Sequence, residues 1–256
     1  MVHAAAAHIV AADADTVSLQ FGSYRAFIGT SCENRNAALS LRASAFKDGD
    51  ADVDRFDSEC LHGSVIHGTG AALVAFRARL IKRPTTLADT YTGQYYDLSP
   101  LHQVTGPYLE LGRFCQADGP SDMTALRLAW AALSVLVDRH DVRMMIGCSS
   151  FPGSDPDIHR AALSVLRTHH LGPKALRPKR LSPMAFDLPE ANAGTASLPQ
   201  LLRSYLGMGG WVSDHAVRDA DLDRLHVFTG LATDTIPETR KARLRALAKA
   251  AQITPS

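Results

Sequence analysis

The sequence predicts a mixed α/β domain, and three stretches predict it. Residues 108–115 (YLELGRFC) and 144–148 (MMIGC) are short apolar runs, and between them Met123, Leu126, Leu128, Trp130, Leu133, Leu136 and Val137 recur at helical spacing as far as His140. Strand, helix and strand in direct succession is the pattern of a parallel crossover. Residues 64–67 and 71–81 are two β-rich runs parted by Gly68-Thr69-Gly70, a hairpin signal. Ahead of them, residues 24–29 read as a strand, and Ser31 caps a helix running to about Phe46 with Ala38, Leu41 and Ala45 on one stripe.

The connections follow from composition. Residues 48–57 form an acidic polar loop, and residues 84–107, rich in Thr and Tyr, are long enough to suggest a functional flap. Asp118-Gly119-Pro120 turns the chain into Ser121, read as the N-cap of the central helix, where a helix N-terminus beside strand ends suits an anion. Residues 157–169 read as a helix. Residues 172–189, punctuated by Pro173, Pro178, Pro183 and Pro189, read as a basic loop that orders on docking. A short helix over 198–206 precedes two β-like runs, 211–217 and 225–231, that pair as the last strands. The end, 237–251, is a basic amphipathic helix with Arg240, Lys241, Arg243, Arg245 and Lys249. Residues 1–16 read as a disordered leader, and residues 17–256, without repeat or linker, as one domain.

Composition removes several classes of function. With 27 Lys and Arg against 26 Asp and Glu, the chain lacks the charge of a dedicated nucleic-acid binder. Cys32, Cys60, Cys115 and Cys148 are far apart with no C-x-x-C pair, which disfavours a zinc ribbon or a disulfide scaffold and reads as reduced thiols in a cytoplasm. The histidines show no metal-site spacing, so no metal is expected. No apolar stretch approaches the roughly 20 residues that span a bilayer, so any membrane role is peripheral.

Chemistry enters with five short strings in order: residues 41–46 (LRASAF), 54–62 (DRFDSECLH), Phe76-Arg77, 110–115 (ELGRFC) and 150–156 (SFPGSDP). Together they resemble the ornithine-lipid N-acyltransferases, a bacterial branch of the GNAT superfamily related to acyl-homoserine-lactone synthases. The resemblance covers roughly residues 38–234. It implies a GNAT fold, with a central splayed mixed sheet flanked by helices, and a pantetheine arm held between parted parallel strands, here 108–115 and 144–148. It implies transfer of a 3-hydroxyacyl group from acyl carrier protein to the α-amino group of ornithine, giving a lyso-ornithine lipid. Glutamine as acceptor, lactone formation as in a signal synthase, and a non-catalytic module that holds acyl carrier protein are the alternatives. The string Gln116-Ala117-Asp118-Gly119-Pro120 departs from the Q/R-x-x-G-x-G/A phosphate loop of acetyl-CoA-using relatives, which disfavours coenzyme A as donor. No bound cofactor is expected beyond the carrier's acyl-phosphopantetheine.

Site residues are expected accordingly. An ammonium must lose a proton before it attacks a thioester, and Glu110, between Leu109 and Leu111, is a candidate acceptor for that proton, directly or through water. Arg113 and Asp57 complete the catalytic set. A regular strand would put Arg113 on the opposite face from Glu110, so cooperation requires a bulge or a strand end. Arg42, Asp54 and Arg77 are expected to hold the amino-acid acceptor. Phe114, Cys115, Gly119, Ser121, Ser150, Phe151 and Gly153 are expected along the acyl-pantetheine path, with direct amine attack favoured over a covalent relay through Cys115. Lys174, Arg177, Lys179 and Arg180 are expected to dock the acidic carrier protein, and the C-terminal helix to touch anionic lipid at the inner membrane surface.

Overall fold

A computed structural model describes residues 15–190 and 197–251, so most of the expected leader lies outside the described residues. The elements run β1 (Val17–Phe21), β2 (Tyr24–Gly29), α1 (Cys32–Lys47), β3 (Leu61–His67), β4 (Ala72–Ile81), β5 (Tyr96–Asp97), β6 (Tyr108–Gln116) and α2 (Met123–Arg139). They continue with β7 (Met144–Pro152), α3 (Arg160–His169), β8 (Lys179–Arg180), β9 (Ala185–Asp187), α4 (Gln200–Leu206), β10 (Trp211–Asp219), β11 (Arg224–Ala232) and α5 (Glu238–Ala250). Nine strands form one sheet in the order β1-β2-β3-β4-β6-β7-β11-β10-β9, and β5 pairs with β8 apart from it.

Every neighbouring pair in the large sheet is antiparallel except β6 and β7, the two ends of the crossover. Their parallel ladder holds only from Tyr108 opposite Met144 to Leu111 opposite Gly147. Beyond it each strand keeps its outer partner, β4 or β11, and the facing edges have no strand partner. Gly147 permits the last close approach, because a Cβ there would lie 2.3 Å from the Leu111 carbonyl oxygen.

Side chains alternate across the sheet. Leu109, Leu111, Val74, Phe76 and Ala78 face α2 and α5, forming the largest apolar cluster with Ala125, Leu128, Ala132 and Leu136. Tyr108, Met144, Ile146 and Phe228 face the other way, against Leu87, Tyr96, Leu98 and Leu101 of the 84–107 connection. That connection is therefore a packed layer of short 3-10 turns and not a flap, with Leu87, Thr90, Thr92 and Leu101 fully buried. Its aromatic and aliphatic side chains cover strand ends that would otherwise be wet.

Two further expectations are corrected by local hydrogen bonding, and the inward stripe of α1 by burial. Asp122, not Ser121, caps α2, its carboxylate accepting the backbone N–H groups of Thr124 and Ala125 at 2.9 Å. Ser121 instead donates to Gln116 Oε1. The 172–189 segment is already docked, β9 pairing with β10 as the edge strand. Ser31 caps α1 as expected, accepting from the Asn34 amide, but α1 buries Asn34, Ala38 and Arg42 in a row along its length, so its inward face carries a cation.

Candidate functional site

Arg42 is the clearest departure from an apolar core, with no exposed surface at all. Its guanidinium meets Asp52 at 2.9 Å and Asp57 at 2.6 Å. Asp57 also accepts from Arg77 at 3.1 Å and from the Asp54 amide at 2.9 Å. Asp54 binds Arg77 at 2.5 Å and Arg113 at 3.2 Å, and Arg113 reaches back to Asp52 at 3.0 Å. Three arginines and three aspartates thus close a neutral network under α1. Burial alone would raise the Asp57 carboxyl, but the Arg42 hydrogen bond and the Arg42 and Arg77 charges hold it well below the usual range.

This network gathers five residues singled out from the sequence, Arg42, Asp54, Asp57, Arg77 and Arg113, and adds Asp52. Read as part of a loop, Asp52 carries no sequence signal. Arg42 and Arg77 are ion-paired within the network, Arg77 Nη2 alone keeping no hydrogen-bond partner there, and neither lines the cavity described next. The acidic run therefore folds inward onto arginines instead of standing in solvent.

Arg113 connects the network to the sheet. It sits at φ +50° in a β-bulge where Arg113 and Phe114 together oppose Phe76 of β4. The extra residue reverses the alternation: Phe114 joins Leu109 and Leu111 against α2, and Cys115 joins Ala38 and Ala75 under α1. Arg113 is thereby returned to the face that carries Glu110, the condition for the two to share a site. Its guanidinium lies over the Tyr91 ring, 4.8 Å from the centroid.

Where β6 and β7 part, a cavity of about 270 Å³ opens. Gly112, Arg113, Phe114, Cys148, Ser149 and Ser150 line it from the two strands, Tyr91 from the buried connection, and Trp130 and Tyr205 from the helices. Asp219, Arg224, His226 and Thr229 complete the wall from the β10–β11 hairpin. Of the residues expected on the acyl path, Phe114 and Ser150 are present. Phe151 points into the cluster beneath α3, Cys115 lies under α1, and Gly119, Ser121 and Gly153 lie outside the lining. Burial pushes the Cys115 thiol up to about 12, which removes it as a thiolate relay. Burial likewise raises Cys148, the cysteine that does line the cavity.

Glu110 is buried and does not line the cavity. One of its oxygens accepts both the Thr92 amide at 2.7 Å and the Thr92 hydroxyl at 2.6 Å, and that hydroxyl lies 3.9 Å from Cys148 Sγ. The carboxylate at the cavity itself is Asp219, which accepts from the Tyr91 hydroxyl at 2.8 Å and the Tyr95 hydroxyl at 3.2 Å. Next to it stands His226, opposite Ser150 on the neighbouring strand. Its Nδ1 is 3.1 Å from the Tyr96 hydroxyl, and its buried Nε2 has no hydrogen-bond partner among the described residues. Trp130 Nε1 and the Tyr205 hydroxyl are likewise buried and unpartnered among those residues.

Burial pushes His226 down to about 4, only partly offset by Asp219, so the imidazole is neutral at neutral pH. The unfolded chain binds that proton from an ordinary value of 6.5, and the folded chain only near 4. Stability present above pH 6.5 is therefore lost as pH falls toward 4, by up to about 3 kcal/mol. Urea unfolding across this window should show the wild type losing distinctly more stability than His226→Gln. Equal losses would assign the acid sensitivity elsewhere.

Unlike Arg113, Phe114 and Ser150, the cavity residues from the last hairpin and the helices are marked by no local motif. Asp219, Arg224 and His226 come from the last hairpin, and Trp130 and Tyr205 read as helix core; only the fold brings them to the strand parting. The expected carrier-docking cluster also changes character: Arg177 is 4.0 Å from Asp214, Lys179 is 3.8 Å from Asp97, and Arg180 is paired with Asp187. Three of its four charges are offset by nearby acids.

Comparison with known proteins bears on the fold and on the relatives of the chain. The family model described as acetyltransferase (GNAT) domain matches residues 35–131. An L-ornithine N(alpha)-acyltransferase of Rhodobacter capsulatus is 28% identical over 201 residues, 74% of this chain and 78% of that protein. Another of the same name from Rhizobium meliloti is 29% identical over 214 residues, 77% of this chain and 69% of that protein. Among solved structures, FeeM, an N-acyl amino acid synthase from uncultured soil microbes, superposes with a TM-score of 0.50 at 10% identity, covering 82% of this chain and 92% of that one, a likeness of fold. The chain therefore carries a match to the acetyltransferase (GNAT) domain over residues 35–131 and is similar over about three quarters of its length to L-ornithine N(alpha)-acyltransferases.

Proposed function

We propose that the chain transfers a 3-hydroxyacyl group from the thioester of acyl carrier protein to the α-amino group of ornithine in the cytoplasm, giving a lyso-lipid. One observation carries the reading: the parted strands β6 and β7 open on a cavity holding two guanidinium groups, a carboxylate and a neutral imidazole. An amino acid offers a carboxylate for Arg113 or Arg224 and an ammonium for Asp219. This moves the acceptor site from the expected Arg42, Asp54 and Arg77 to side chains that line the opening. Ornithine is chosen over other amino acids from the names of the relatives.

In the proposed reaction the acceptor attacks the thioester carbon as the free amine, and the proton its nitrogen sheds as the amide forms passes through His226 Nε2 to the leaving thiolate. A C–N bond forms, and the C–S bond breaks to release the carrier's thiolate, which takes up that proton. The oxyanion lies against backbone N–H groups on the unpartnered edges of β6 and β7. Trp130 Nε1–H and the Tyr205 hydroxyl donate to oxygens of the acyl-pantetheine. Glu110 acts from behind by fixing Thr92 against Cys148. Among the described residues no helix is long and apolar enough to cross a membrane, and the lipophilic product makes peripheral contact with one reasonable.

Purified protein, 3-hydroxyacyl carrier protein and a panel of free amino acids, with products read by mass spectrometry, test the proposal. The expected product is 3-hydroxyacyl-ornithine. Acyl-glutamine, a lactone or no product at all would displace it.

A further inference from the structure

Beside the cavity, a groove of about 810 Å³ runs between α2, α4 and α5. Its floor is apolar, with Leu126 and Trp130 of α2. Four exposed arginines stand on its rim: Arg127 of α2, Arg203 of α4, and Arg240 and Arg243 of α5. No aspartate or glutamate is among the residues that line it.

These arginines form no ion pair among the described residues, whereas their neighbours do. Arg245 holds Asp138 through two hydrogen bonds of 2.8 Å, and Lys241 holds Glu238 at 2.8 Å. Four cations around one hollow repel one another, and the field they sum to attracts an anionic body. The groove shares Trp130 and Gln200 with the cavity where β6 and β7 part. Whatever sits in it therefore lies at the mouth of that cavity.

We propose that this groove docks the acidic surface of the carrier protein that presents the thioester, its arm passing Trp130 and Gln200 to reach the parted strands. The proposal rests on the carrier-bound donor of the function proposed above. It replaces the 174–180 segment, whose arginines and Lys179 lie beside acids of their own. A protein fits better than a bilayer, because the charges come from three helices around a concavity and not from one flat face. The apolar floor suits the uncharged side chains of a docked helix.

The experiment is the affinity of fluorescently labelled holo-acyl carrier protein, by anisotropy, for the full chain and for two variants. One combines Arg127→Glu, Arg203→Glu, Arg240→Glu and Arg243→Glu; the milder one combines Arg240→Gln and Arg243→Gln and guards against misfolding of the first. Reversal is expected to raise Kd at least about tenfold and neutralisation about threefold, with affinity falling as salt rises. Turnover of a small acyl-N-acetylcysteamine thioester, which needs no docking, should stay within about twofold of wild type. Unchanged carrier affinity in the folded variants, or no carrier binding by wild type, overturns the proposal. So does loss of binding to phosphatidylglycerol vesicles while carrier affinity is kept, since the groove would then face a membrane. Carrier binding in the groove without acyl-ornithine formation would sink the proposed reaction and leave the docking surface standing. Acyl-ornithine formed with carrier Kd and KM unchanged by reversal would do the opposite.

Discussion

Asp57→Ala is expected to destabilise the fold by about 3–5 kcal/mol. The side chain is 3% exposed and accepts four hydrogen bonds: two from Arg42, one from Arg77 and one from the Asp54 amide. Removing it leaves three arginines to two aspartates, one buried positive charge uncompensated, with Arg42 held by Asp52 alone and Arg77 by Asp54 alone where they are 0% and 2% exposed. The loss is thus mainly the cost of uncompensated buried charge and not of the lost bonds themselves. Glu59→Ala is the control. It removes the partner of Arg79 at a site where the carboxylate is 55% exposed, and a change below about 1 kcal/mol is expected. Urea denaturation of both variants at neutral pH measures the difference. Similar small losses in the two would mean that the network contributes no more than a surface pair.

The second large effect is on catalysis: His226→Gln should lower kcat by about 10²-fold or more while the protein stays folded. Glutamine keeps a polar group on β11 but offers no basic nitrogen. With the histidine near 4, its protonation leaves no limb in the rate profile between pH 6 and 8, so over that range the rate should follow the ionisation of the acceptor amine alone. Glu110→Gln, in contrast, should act through Thr92, with a smaller loss, because Glu110 does not line the cavity. A fully active His226→Gln beside an inactive Glu110→Gln would return the proton to Glu110, the group that the strand sequence points to.

The contrast between Glu110 and His226 shows how far the sequence carries. Elements with a short-range cause were legible: the cap of α1 by Ser31, the β3–β4 hairpin, the β6-α2-β7 crossover and the pairing of the last two strands. Each rests on periodicity or on a turn within a few residues. The strings at 41–46, 54–62 and 110–115 pointed to arginines and aspartates that do come together. They did not tell an internal network from a substrate site, because that depends on whether a carboxylate some 10 residues away, Asp52, turns inward or outward.

What the sequence by itself determined is the class of fold, the crossover that makes one parallel pair, and the proteins that the chain resembles, since these depend on local patterning and on ordered strings. Only the tertiary structure decided which side chains face the opening. A single extra residue at Arg113, held at φ +50°, reverses the alternation of β6, sending Phe114 to α2 and Cys115 to α1. The last hairpin then brings Asp219, Arg224 and His226 to the same cavity from more than 100 residues further along the chain. No local pattern encodes either outcome, because a bulge is settled by pairing with the neighbouring strand and a wall by the order of strands in the sheet.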